Sequence, residues 1–292
     1  MRDNPIKRQL SQGGYAFGTL AFEFFTPGFP QIVKAAGADF ILFDMEHSGA
    51  EMGTMKTQFA LCRGIGLTPL VRVPTTQYHF ISRTLDAGAM GVMVPMVDTK
   101  EQAEFIVSST RYPPLGQRGA AFGVAHDDYM GGAVTDKIAM ANSRTLVICQ
   151  IETAKGLRNV EAIASVPGVD VLWLGHFDLT NFMGIPAQFD NPKYLAGVDR
   201  IIAACRKYNK VGGFMPTDSN WSRDYIAKGF KILAYSLDIY IMQNALREGI
   251  ADLRRNAEAF TRSVAGQTAA GQTAAGSRKK DKQARKAKGG GQ

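Results

Sequence analysis

Short apolar runs alternate along the chain with longer stretches whose apolar residues recur at helical spacing. The runs that read as strands are Tyr15–Phe22, Phe40–Asp44, Pro69–Val73, Gly91–Val94, Leu146–Ile151, Val169–Leu174, Gly212–Met215 and Lys231–Ala234. Helical patterns separate them, among them Pro30–Ala36, Phe80–Asp86, Lys100–Ser109, Val160–Ser165 and Pro192–Tyr208. Runs such as Ile41-Leu42-Phe43 are apolar without alternation, which suits parallel strands buried on both faces. Strand–helix units repeated eight times in roughly 250 residues predict an α/β fold, a (β/α)8 TIM barrel in a single domain. A doubly wound open sheet is the runner-up. No GxGxxG follows the first strand and no GxxxxGK[ST] occurs, so no nucleotide or other organic cofactor is expected. One stretch breaks the rhythm. Between the fourth and fifth predicted strands a long segment contains RYPPLGQRG, and a long loop inside a compact domain is usually functional.

Composition narrows the classes. The chain has 292 residues and is 45% hydrophobic, which excludes a wholly disordered protein. No apolar run approaches the ~18–20 residues that span a bilayer, and no membrane partner is expected. The first residues lack the apolar core of a secretory signal. The three cysteines, Cys62, Cys149 and Cys205, have neither disulfide nor metal-knuckle spacing, which suits a reducing cytoplasm. The net charge of +8 suggests a polyanion partner until it is located. Residues 277–292 carry +6 of it and the rest of the chain only +2. Nucleic acid is therefore not an expected partner. The direct repeat GQTAAGQTAA precedes the basic end. The expected organisation is an N-terminal extension over residues 1–12, a barrel over 13–264, and a disordered linker and basic tail over 265–292.

In such a barrel the chemistry gathers where strands end. After the second strand comes Asp44-Met45-Glu46-His47-Ser48; the third contains Arg72; the fifth ends Gln150-Ile151-Glu152; the sixth runs into Gly175-His176-Phe177-Asp178. Glu152 and Asp178 at adjacent strand tips suit a hard cation such as Mg²⁺ or Mn²⁺, with Co²⁺ as an alternative; both also precede helical segments and could be N-cap carboxylates. Arg72 between Val71 and Val73 needs an anion, either Asp44 or Glu46 in a salt bridge or a substrate carboxylate or enolate. His47 reads as a general base oriented by Asp86, or as a structural histidine. Ser48 has no GxSxG elbow and makes no triad. A Schiff-base lysine is disfavoured, because Lys231 opens its strand instead of ending it.

At these residues the sequence resembles the HpcH/HpaI aldolases, metal-dependent pyruvate aldolases. The resemblance covers most of residues 13–250 and rests on DMEHS at 44–48, VRVP at 71–74, LDAGAMGVMVPMVDT at 85–99, RYPPLGQRG at 111–119, QIET at 150–153 and VPGVDVLWLG..DL at 166–179. It implies a metal-dependent aldolase that cleaves a 4-hydroxy-2-oxo acid to pyruvate and an aldehyde. Glu152 and Asp178 would hold the metal, and Arg72 would stabilise the enolate. His47 with Asp86 would act as acid and base. Gln150, Gly175, His176, Phe177 and Asp178 would border the substrate, with Asp44 a further polar position near the metal. It also implies a homo-oligomer, trimer or hexamer, with a C-terminal helix exchanged between subunits. His176 and Phe177 stand where the family commonly has Pro and a small residue, a change that bears on which aldehyde fits. An acyl-CoA lyase of the wider superfamily and a non-catalytic keto-acid-binding barrel are the alternatives.

Overall fold

The computed structural model describes residues 1–288. Its strands are β1 (Ala16–Ala21), β2 (Phe40–Asp44), β3 (Thr68–Arg72), β4 (Gly91–Val94), β5 (Leu146–Ile151), β6 (Val171–Leu174), β7 (Val211–Phe214) and β8 (Phe230–Leu237). They pair in parallel in chain order, and β8 returns to β1 to close the barrel. The helices are α1 (Pro5–Ser11), α2 (Phe29–Ala35), α3 (Met52–Arg63), α4 (Tyr78–Asp86), α5 (Lys100–Thr110), α6 (Val134–Arg144), α7 (Ala154–Arg158), α8 (Val160–Ala164), α9 (His176–Phe182), α10 (Pro192–Lys207), α11 (Ser219–Lys228) and α12 (Asp238–Lys288).

The strand alternation, hidden in the sequence because both faces are apolar, sorts the core into two layers. Ile41, Phe43, Val71, Val92, Val147, Cys149, Leu172 and Leu174 join the layer that the helices cover. Phe40, Leu42, Leu70, Met93, Leu146, Ile148, Val171 and Trp173 fill the barrel itself. Trp173 needs room that Gly213 provides: a Cβ there would lie 2.3 Å from the indole. Ile6 and Leu10 of α1 belong to this inner layer. Residues 1–12, expected as an extension, are thus part of the barrel and close its N-terminal end. The apolar i, i+4 pair in α1 is what an amphipathic helix needs to seal that opening.

The chain divides into two compact units, Met1–Ile239 and Tyr240–Gln292. The barrel therefore ends some twenty-five residues before the expected boundary at 264. The second unit is the continuation of α12. Its Tyr240, Met242, Leu246, Ile250, Leu253 and Phe260 are exposed and build no core of their own. Where a linker is expected, α12 runs through the GQTAA repeat to Lys288. Ala, Gln, Lys and Arg are strong helix formers, and they outweigh glycines that cost about 1 kcal/mol each. Residues 289–292 of the expected tail lie outside the described residues.

Candidate active site

The inward-facing series of several strands switches from apolar to polar at its last position. In β2 it runs Phe40, Leu42, Asp44, and in β3 Leu70, Arg72. Past β5 it runs Leu146, Ile148, Gln150, Glu152, and past β6 Val171, Trp173, Gly175. Period-two geometry sends all of these toward the barrel axis at the C-terminal rim.

Arg72 is buried and held on two sides. Its Nε donates to Asp44 Oδ1 at 2.5 Å, and its Nη1 lies 3.1 Å from Glu46 Oε2. Nη2 is buried without a hydrogen-bond partner. The salt-bridge reading of Arg72 is therefore realised, and one donor remains unspent beside it. Asp44 is fully buried and also accepts the backbone N–H groups of Glu46 and His47, at 3.3 and 2.7 Å. It fixes the turn that presents both side chains. His47 is half exposed, with Nε2 3.8 Å from Glu46 Oε2. Phe22, just beyond β1, stacks over the Arg72 guanidinium at 5.2 Å and lies beside the His47 ring.

Glu152 is buried and accepts from Met96 N at 2.6 Å and from Gln150 Nε2 at 2.5 Å. Neither carboxylate is a helix cap. The cap of α7 is Thr153, whose side chain accepts from Gly156 N, and the N-cap position of α9 is Gly175. Burial pushes the Glu152 carboxyl up to about 7, and the nearby charges of Glu46 and Asp178 push the same way. Glu46 is likewise raised to about 7, by burial first and then by Asp44 and Asp178 against the pull of Arg72. The negative charges gathered around Glu152 and Glu46 make a site that a cation would relieve. Gln150 Oε1, buried and unpaired, adds an oxygen donor. Among the described residues no group of three or more His, Cys, Asp or Glu is placed to hold a metal ion by itself. Two carboxylates completed by water and substrate oxygens fit a hard divalent ion, which keeps such an open set. Gly175 is required here: a Cβ would stand 2.5 Å from Glu152 Oε2 and 2.8 Å from Gln150 Nε2.

The profile of the HpcH/HpaI aldolase/citrate lyase family matches residues 24–245. The chain belongs to that family. A 5-keto-4-deoxy-D-glucarate aldolase of Shigella dysenteriae is 33% identical over 218 residues, 75% of this chain and 84% of the relative. Among solved structures, an HpcH/HpaI aldolase from Desulfitobacterium hafniense superposes with a TM-score of 0.82 at 27% identity, covering 85% of this chain and 96% of its own. An HpcH/HpaI aldolase/citrate lyase family protein from Burkholderia cenocepacia gives 0.80 at 29%, covering 86% and 99%. The chain is an enzyme, a lyase of the aldolase kind.

Within one aldolase chain, the expected partnership of His47 with Asp86 is not formed. Asp86 ends α4 and precedes β4, so chain direction puts it at the N-terminal rim, where Arg118 Nη2 donates to it at 2.6 Å. The long segment after α5 is at the same rim. Lys137 Nζ donates to Asp127 at 2.6 Å, and Arg2 and Arg63 meet Asp128 at 3.0 and 3.2 Å. In the single chain these polar residues hold the loop, and none reaches the strand tips. His176 is buried against Phe177, Phe189, Phe214 and Trp221, and burial lowers its pKa to about 4. It packs as a neutral ring. Phe177 is half exposed at the start of α9. Lys231 Nζ donates to Gly13 O at the start of β8, at the rim opposite the polar strand tips. Asp238 was not anticipated from sequence. It is buried at the end of β8 and accepts from Phe22, Glu23 and Phe24 N at 2.8 to 3.1 Å. The expected strand stops at Ala234, whereas β8 continues to Leu237, and only that longer strand puts an acid at its tip.

Proposed function

We propose that this aldolase reversibly cleaves a 4-hydroxy-2-oxo acid to pyruvate and an aldehyde, with Mg²⁺ or Mn²⁺ held by Glu152 and Asp178. The observation that supports this most is the meeting of Arg72, Glu46, Glu152 and Asp178 at one end of the barrel. Glu152 and Asp178 would hold the divalent cation, which would supply Lewis-acid polarisation of the keto group. The chain's own residues do the rest. His47 removes the proton from the 4-hydroxyl, the C3–C4 bond breaks, and its electron pair forms the pyruvate enolate. The unspent Nη2 of Arg72 binds the enolate oxygen more strongly than the neutral ketone, which is the differential binding that lowers the barrier. Glu46, next to His47 and Arg72, steadies the imidazolium once formed. Returning the proton to C3 releases pyruvate. Phe177 forms an apolar edge where the aldehyde leaves. The exposed apolar side chains of α12 support a homo-oligomer, trimer or hexamer, in which that helix is exchanged. The three buried, unpaired cysteines fit a cytoplasmic enzyme.

The test is cleavage of 5-keto-4-deoxy-D-glucarate and synthesis from pyruvate with a panel of aldehydes, each with Mg²⁺ or Mn²⁺ and then with chelator. Activity is expected to vanish in chelator and return with metal. Arg72→Ala is expected to lower kcat by about 10²–10³, the usual worth of one oxyanion contact. Equal turnover in chelator, or a near-normal Arg72→Ala enzyme, overturns the proposal.

A further inference from the structure

A cavity of about 580 Å³ opens at the N-terminal rim, the end of the barrel away from the strand tips. It lies where α1, the end of α10 and the starts of β5 to β8 meet. Its charged lining is Lys7, Arg206, Lys210 and Lys231 against the single carboxylate of Asp170.

The hydrogen bonds of these cations leave donors over. Lys7 Nζ donates to Thr145 O at 2.8 Å and to Asp170 at 3.0 Å. Lys210 Nζ donates to Val166 O at 3.1 Å and Val169 O at 2.8 Å. An ammonium has three N–H donors, so each keeps one. Lys231 uses one, on Gly13 O at 2.9 Å, and Arg206 Nη2 uses one, on Lys228 O at 2.8 Å. The carbonyl partners hold the cations in place without neutralising them. Asp170, 3.0 Å from Lys7, is the one carboxylate set against these four cations, so the cavity keeps a positive excess, and burial, which lowers the pKa of Lys7 and of Lys210, makes that excess costly. Leu10, Leu146 and Ile202 supply apolar wall between the charges. A volume of this size suits a small organic molecule and exceeds what a lone chloride needs.

We propose that this cavity is a second ligand site, for a small organic polyanion bearing phosphate or carboxylate groups. The proposal does not depend on the catalytic reading, because the site shares no residue with the strand tips. Binding should be electrostatic, with one ligand per chain and affinity falling as salt rises.

Calorimetric titration of the metal-free, full-length protein with inorganic pyrophosphate and, separately, with tricarballylate tests it. Saturable binding of at least one is expected; the tighter of the two assigns the headgroup. Lys231→Met and Arg206→Met should each weaken Kd by about 10-fold, the effect of one close charge in a partly screened site. Both should retain normal aldol turnover, which checks that they fold. Arg72→Ala should bind the probe like the wild type. No saturable binding of either probe overturns the proposal. So does binding that Arg72→Ala abolishes while the rim variants leave it intact, since that locates the probe at the strand tips.

Discussion

Arg72 illustrates what a single residue reveals. A guanidinium inside an apolar strand demands an anion, and two carboxylates meet it, Asp44 from its own rim neighbour β2 and Glu46 just beyond. The demand was legible in sequence; the partners were open because an isolated strand does not say which acids its neighbours bring. Gly175 is the converse case. Nothing in its flanking residues marks it as essential, and the requirement appears only when β5 delivers Glu152 and Gln150 against it. Gly175→Ala is expected to push the Glu152 carboxylate aside and weaken divalent-metal affinity by about 10–100-fold, as loss of a supporting contact does. Metal titration followed by calorimetry checks this; unchanged affinity would mean that Glu152 is not a ligand.

At the scale of elements, the strands were readable because parallel barrel strands are dense in β-branched and large apolar residues. β2, β4 and β5 have the expected bounds. The apolar stripes of α3 and α6 are weaker signals, since polar and small residues interrupt them. The length of the segment after α5 points to a functional loop. Its charges pair among themselves and with α4 and the N-terminus instead, because α5 runs antiparallel to β4 and sets the loop down at the opposite rim. The seam between β8 and β1 depends on Asp238, whose carboxylate collects three consecutive N–H groups of the loop that carries Phe22 over Arg72. Asp238→Asn keeps the shape and loses the charge. It is expected to lower stability by about 1.5–3 kcal/mol, the range for hydrogen bonds to a charged group. A lower urea midpoint at unchanged m is the result to look for. An unchanged midpoint would show that the loop is held by other contacts.

For the whole molecule, the charge that first suggests a polyanion partner sits mostly beyond residue 276, outside the Met1–Ile239 unit that carries the chemistry. Deleting residues 266–292 is therefore expected to leave kcat/KM for aldol cleavage unchanged, as steady-state kinetics of the shortened chain will check. A loss of activity would assign the end of α12 a part in the active assembly.

The sequence alone determined the class of fold and the chemical types at the strand tips. Apolar runs at regular spacing leave few ways to bury themselves other than a closed parallel sheet under helices, and charged groups that interrupt such runs are tolerable only where the strand emerges. Tertiary structure decided the partnerships. It gave Asp86 to Arg118, buried His176 among aromatic rings, drew Asp238 into the seam, and turned residues 5–11 into the barrel's plug. The physical reason is range. Burial and periodicity are read from neighbours along the chain, whereas ion pairs and close approaches depend on residues tens to hundreds of positions away, which meet only when the barrel closes.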